Sequence, residues 1–280
     1  MTIRIVTDSA CDLSDDELSQ WKIGMVPLSI RFGDDEFVDR NELSTDDFYR
    51  RLSQSEHLPE TAAPSPGAFV EMFNKMASEG ASGVVCINLS EALSATIQAA
   101  RTGAASEEVS IDVRVINSKA ITGGLGSIVL AAAKAATEGA SADDIVNLVE
   151  DMSGRTRVYA TLDTVENLKK GGRIGGAQAA LGTLLSIKPL LDLSTGEVVA
   201  AGKQRTRKRS LDWVRQQLID AGDDIENLAV LHSNATDIDD FMASIADIPS
   251  IANARTNIIG AVIGTHGGPG IIGITYQTSS

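Results

Sequence analysis

The chain has 280 residues, 43% hydrophobic and 22% charged, with a formal net charge of −14 at neutral pH. That balance excludes a disordered chain, and so acidic a chain lacks the basic face that general nucleic-acid binding needs. Two cysteines, Cys11 and Cys86, exclude a disulfide framework and a cysteine zinc site. No apolar run approaches the roughly 18 residues of a membrane span, so no stable membrane insertion is expected. The first residues lack the apolar core and cleavage site of a signal peptide, which points to a cytoplasmic protein.

In chain order, Ile3 to Val6 reads as a short buried strand running into Thr7-Asp8-Ser9. Ser14 with Glu17 then forms a capping-box pattern that opens a helix. Met25 to Ile30 predicts a second strand, with a turn at Gly33-Asp34 returning through Glu36-Phe37-Val38. Phe69, Met72, Phe73 and Met76 recur at helical spacing behind Pro64-Ser65-Pro66. Strand Val84–Leu89, a helix from about Ala92, strand Val113–Ile116 and a helix after Thr122 follow, and Ser141 with Asp144 opens another helix. Strand–helix alternation of this kind predicts a mainly parallel sheet with flanking helices.

Beyond Gly154 the pattern changes. Ile187–Leu193 and Glu197–Ala201 flank Ser194-Thr195-Gly196 and read as an antiparallel hairpin. A helix around Trp213 and Leu218, strand Leu228–His232, a helix over Ile238–Ile245, and strands Ile258–Ile263 and Ile271–Tyr276 complete the chain. The fold class is therefore α/β in two domains. Residues 1–154 form a mainly parallel sheet with flanking helices, and residues 155–280 form an α+β domain with a mixed sheet.

Motifs for common chemistries are missing. His57, His232 and His266 have no metal-ligand spacing, and no Walker sequence or GxSxG elbow occurs. The runs Gly123-Gly124-Leu125-Gly126 and Gly171 to Gly176 are glycine-rich without the strand-then-GxGxxG form of a dinucleotide site. No cofactor is expected. What remains is a set of hydroxyls at predicted strand ends: Thr7, Ser9, Ser90, Ser94, Ser118 and Thr265. Singly, each reads more simply as a helix cap; together they suit an anion beyond the carboxyl ends of the strands. His266 sits among Gly264, Gly267, Gly268 and Gly270, a setting that suits close approach of backbone to a ligand. The basic run Lys203, Arg205, Arg207, Lys208, Arg209 reads either as a solvated face or as a docking patch for an anionic ligand or acidic partner.

Several segments carry a resemblance. They are Ile5-Val6-Thr7-Asp8-Ser9, Val26-Pro27-Leu28, Thr61 with Pro64-Ser65-Pro66-Gly67, and Leu93-Ser94-Ala95-Thr96. They continue through Leu168-Lys169-Lys170-Gly171-Gly172-Arg173-Ile174, Ile187-Lys188-Pro189 and Ile263 to Gly270. In this order the chain resembles the DegV family, whose members include fatty-acid-binding subunits of bacterial fatty acid kinases. The resemblance implies two α/β domains with an acyl-chain tunnel. It implies a fatty acid carboxylate held by Thr61 and Ser94 with support from His266 and Thr265, and it puts Arg173 and Arg205 near the head group or the kinase-docking surface. Ala62 and Ala63 after Thr61 depart from the family pattern. The implied function is a carrier, not an enzyme. It binds one long-chain fatty acid and presents the carboxylate to a separate fatty acid kinase catalytic protein that makes the acyl phosphate. The alternative is a self-contained hydrolase or phosphotransferase using His266 as base.

Overall fold

The computed structural model describes residues 2–181 and 187–279. The first half runs β1 (Ile3–Asp8), α1 (Asp15–Gln20), β2 (Gly24–Val26), β3 (Ser29–Phe32), β4 (Asp35–Val38), α2 (Thr45–Gln54), β5 (Glu60–Ala62) and α3 (Pro66–Ser78). It continues with β6 (Gly83–Asn88), α4 (Thr96–Ala104), β7 (Asp112–Asn117), α5 (Thr122–Thr137) and α6 (Ala142–Arg155). The second half runs β8 (Thr156–Thr161), α7 (Glu166–Lys170), α8 (Ala177–Leu181), β9 (Lys188–Asp192), β10 (Val199–Gln204), α9 (Arg207–Ala221) and β11 (Glu226–His232). It ends with α10 (Ile238–Ile245), β12 (Arg255–Ile258), α11 (Ala261–Gly267) and β13 (Ile272–Gln277).

A four-stranded sheet in the order β2-β1-β6-β7 is parallel throughout. Its central strands are near-continuous apolar runs because helices or loops cover both faces; all six residues of β6 are buried. The six-stranded sheet, order β10-β9-β8-β13-β11-β12, is antiparallel except for the β11–β12 pair. A small antiparallel sheet, β4-β3-β5, stands apart from both. The architecture is thus α/β with one parallel and one mixed sheet. Among the described residues, no helix is long and apolar enough to cross a membrane.

Helix α5 joins the sheets. A Cβ on Gly123 would lie 2.7 Å from Leu231 Cδ2 on β11, and one on Gly126 would lie 2.7 Å from the Cys11 carbonyl beyond β1. The glycines of Gly123-Gly124-Leu125-Gly126 are therefore close-approach positions between sheets. They set the width of the gap between the two halves. Leu125, Ile128 and Val129 of this helix share one hydrophobic cluster with Ile5, Val158 and Leu231. The other face of the six-stranded sheet is covered by α9 and α10 through Val214, Leu218 and Phe241.

Three sequence expectations are corrected. Met25–Ile30 is two strands in two different sheets, broken at Pro27, whose ring removes a ladder donor. Ile258–Ile263 is not a strand: β12 ends at Ile258 and α11 begins at Ala261. The helix expected from Ala92 starts at Thr96. Helix α2, with Phe48 and Tyr49 buried, was not anticipated from the sequence.

Candidate functional site

Between the six-stranded sheet and the N-terminal half lies an apolar cavity, with about 820 Å³ of space between its lining atoms when the open solvent at its mouth is included. Strand alternation builds one wall. Val158 and Ala160 of β8 face the cavity, while Tyr159 between them packs with Trp213 on the opposite face. Leu191 and Leu231 add to that wall, and Leu28, Leu89, Leu93 and Ile121 come from the N-terminal half. The lid is helical. Val262, Ile263 and His266 of α11 line the cavity at the i, i+1, i+4 spacing of one helix face, and Ile259 joins them from just before the helix.

His266 ends that apolar face and reaches across to β5, where Nε2 lies 2.8 Å from Thr61 Oγ1. Burial, and secondarily the nearby Arg173 charge, lowers His266 to about 4, so the imidazole is neutral at physiological pH. Its Nδ1 is buried without a partner among the described residues. The atom abuts Gly171, where any Cβ would collide with it. Gly171 has ordinary right-handed backbone (φ −75°), so its lack of a side chain serves space, not conformation.

Arg173 is half-buried and lines the same cavity. Its Nε donates to the Leu93 carbonyl (3.3 Å) and its Nη1 to the Gly171 carbonyl (2.6 Å). Among the described residues no carboxylate pairs with it. A half-buried guanidinium held by two carbonyls and no counter-charge calls for an anion. Ser94 lines this cavity too, beside Leu93, with Oγ 2.9 Å from Thr96 Oγ1.

Thr61, Arg173 and His266 also border a second, polar space of about 910 Å³ that includes Glu56, His57, Glu60, Asn167 and Lys170. They therefore stand at the junction of an apolar chamber and a polar vestibule.

Of the residues singled out from sequence, Thr61, Ser94, Arg173 and His266 come together on the apolar cavity, while Thr265 and Arg205 do not line it. Thr265 borders the vestibule, but its hydroxyl donates to the Ala261 carbonyl one helical turn back. Arg205 is exposed. Ser9, Ser90 and Ser118 are structural, bonding to Leu28 N, the Gly196 carbonyl and the Asn88 carbonyl respectively. His266, set among those glycines, lies in the last turn of α11. Arg207 is not free for docking: its Nε and Nη2 hold the two oxygens of Asp237 at 2.8 and 2.9 Å. Asn167 was missed; its Nδ2 donates to the Thr265 carbonyl and ties α7 to α11.

The model of the DegV family of uncharacterised proteins matches residues 2–279. A DegV domain-containing protein of Streptomyces coelicolor is 35% identical over 279 residues, covering 99% of this chain and 98% of its own. A solved DegV family protein of Thermus thermophilus, described with its fatty acid binding, is 31% identical with a TM-score of 0.89, covering 99% of this chain and 100% of its own. DegV of Bacillus subtilis, described as a fatty acid binding protein, is 30% identical with a TM-score of 0.88 and 99% coverage of both chains. The chain belongs to the DegV family.

Proposed function

We propose that the protein binds one long-chain fatty acid, with the acyl chain in the apolar cavity and the carboxylate at the junction with the vestibule. The observation that carries this reading is Arg173, a half-buried cation without a counter-ion among the described residues, at the polar end of an otherwise apolar chamber. The fatty acid binding described for the relatives from T. thermophilus and B. subtilis, each about 30% identical over the whole chain, supports it.

The energetics agree. About fourteen buried methylenes at roughly 0.8 kcal/mol each give an upper limit near 11 kcal/mol, and ordering costs leave nanomolar to micromolar affinity within reach. The head group must regain the solvation it loses. Thr61 can accept from His266 Nε2–H and donate its own O–H to the carboxylate, with Ser94 and Arg173 Nη2 as further donors. Thr265 acts in support through its carbonyl, which orients Asn167.

The vestibule leaves the carboxylate reachable, and in this reading a separate cytoplasmic kinase transfers a phosphoryl group to it, giving the acyl phosphate. The protein is then a carrier. A base near pKa 4 is a poor match to neutral-pH proton abstraction, which disfavours a hydrolase or phosphotransferase built on His266. Exposed Arg205, Lys208 and Arg209 serve as the kinase-docking cations in an otherwise acidic chain. Residues 1–154 and 155–280 act as the two domains, a division supported by the parallel sheet lying wholly before Gly154 and the six-stranded sheet wholly after it.

Solvent extraction of the purified protein followed by mass spectrometry tests the binding step, with a stoichiometric long-chain fatty acid expected and an empty extract refuting it. Incubating the loaded protein with ATP, with and without the organism's candidate kinases, tests the second step. Acyl phosphate should form only with a kinase present.

A further inference from the structure

The sheet that forms one wall of the cavity is uneven, and its strand registers show where. Val158, Ala160 and Leu162 line the cavity from alternate positions of β8, with Ile271 and Gly273 beside them on the next strand segment. Ala160 stands opposite both Leu191 on β9 and Gly273 on β13, and Gly273 stands opposite Leu231 on β11. One row across four strands therefore reads Leu191, Ala160, Gly273, Leu231, two small residues between two leucines. The wall is higher on either side of this row. Toward the head-group end stand Leu162 and Ile271, the latter abutting Gly267 next to His266. Away from it stands Val158, two residues and about 7 Å further along β8.

Exposure along β8 follows the same profile, 2% at Val158, 8% at Ala160 and 3% at Leu162. The backbone keeps the low row bare. A β-carbon on Gly273 would lie 2.7 Å from the Tyr159 carbonyl oxygen and 3.0 Å from Ala160 Cβ, so the close approach of β8 and β13 excludes a larger residue there. Close strand packing accounts for the glycine; its consequence is a depression in the wall that the acyl chain meets, with Ala160 setting its depth.

The shape of the depression selects the shape of the chain. An extended saturated chain lying on this wall passes from one high row to the next and leaves a void over the low one, forfeiting contacts there. A chain that bends at that point fills it. A cis double bond fixes such a bend, whereas a trans double bond keeps the chain extended. The low row is two strands wide, with roughly 4.8 Å between the strands, which suits the several carbons of a bend better than a single branch methyl. We infer that Ala160 and Gly273 make the protein selective for a cis-unsaturated long-chain fatty acid whose double bond lies over their row. The inference rests on the fatty-acid reading and deepens it to a substrate class.

The test is a titration of delipidated protein with stearate, with the cis and trans octadecenoates unsaturated at carbon 6, 9 or 11, and with 10-methylstearate. Cis and trans isomers share composition, so their difference isolates shape. At one position the cis isomer should bind at least about fourfold tighter than its trans isomer and than stearate, as expected for one methylene-sized group brought from a void into contact. Equal or weaker binding of every cis isomer overturns the inference, and this comparison needs no variant. Tighter binding of 10-methylstearate than of any cis isomer overturns it too, because the depression then takes a branch. Ala160→Val raises the wall with a side chain suited to a strand and should bring the cis and trans isomers to equal affinity. A cis preference that survives this substitution overturns the role of Ala160. Failure of every one of these ligands to bind is a different result, which refutes the fatty-acid reading itself.

Discussion

Replacing Arg173 by methionine keeps an unbranched side chain of similar length in the cavity wall and deletes the charge. Nε and Nη1 are committed to the Leu93 and Gly171 carbonyls, so Nη2 is the nitrogen left for a ligand. A hydrogen bond from a charged donor contributes about 1.5–3 kcal/mol, and with one nitrogen available the lower end applies, roughly a tenfold rise in Kd. The two backbone bonds are lost as well, and that loss has nothing to do with head-group charge. Measuring a fatty acid and the fatty alcohol of equal length against both proteins separates the effects. The acid should weaken about tenfold more than the alcohol. A second readout is the imidazole of His266, which sits near pKa 4 through burial first and the Arg173 charge second. Removing the charge should raise it partway toward 6.5, visible in an NMR titration. Equal weakening of acid and alcohol with an unmoved histidine would refute the assignment of Arg173 to the carboxylate.

Gly171→Ala places a methyl against His266 Nδ1 and should break the 2.8 Å contact with Thr61, weakening fatty acid binding at least tenfold while the far-UV circular dichroism is preserved. Asp12→Asn probes a carboxyl that burial raises to about 7. Its protonated form contributes stability at low pH that is lost as pH rises through 7, so the variant should gain stability relative to the unaltered protein between pH 5 and 8.5 in thermal melts; a constant difference would contradict the burial argument. Arg207→Ala removes the two-point pair with Asp237, in which the side chains are 22% and 27% exposed, and should cost on the order of 1 kcal/mol of stability with no change in lipid affinity. Arg205→Ala should leave both stability and lipid affinity unchanged while kinase-dependent phosphorylation falls and loses part of its salt sensitivity.

Local signals were legible where local physics decides. The capping boxes Ser14–Glu17 and Ser141–Asp144 form, because each satisfies helix-end donors within four residues of sequence. The hairpin of β9 and β10 forms around Ser194-Thr195-Gly196, where Gly196 has φ 84°. The stretch from Ile258 to Ile263 was misread because a β-branched run suggests a strand when viewed alone. The decisive helical spacing becomes visible only when His266 is counted with Val262 and Ile263, since these three residues of α11 lie on one helix face. The partner of Arg207 was out of reach for another reason: Asp237 lies thirty residues away, before a separate helix. A dense basic run says nothing about which of its charges tertiary structure will neutralise.

The segment Gly171-Gly172-Arg173-Ile174 shows why a motif can identify a family and still conceal its mechanism. Gly171 makes room for the His266 imidazole, and Gly172, at φ 69°, turns the chain at the end of α7. Arg173 then clasps the Leu93 and Gly171 carbonyls, and Ile174, 5% exposed, anchors the turn in the core. Only one of these four residues offers a polar group to a ligand; the other three fix where that group stands. Sequence pattern thus reveals the frame that holds a head group. The apolar wall opposite that head group is drawn from side chains far apart in the chain, such as Leu28, Val158 and Val262, which no local pattern brings together.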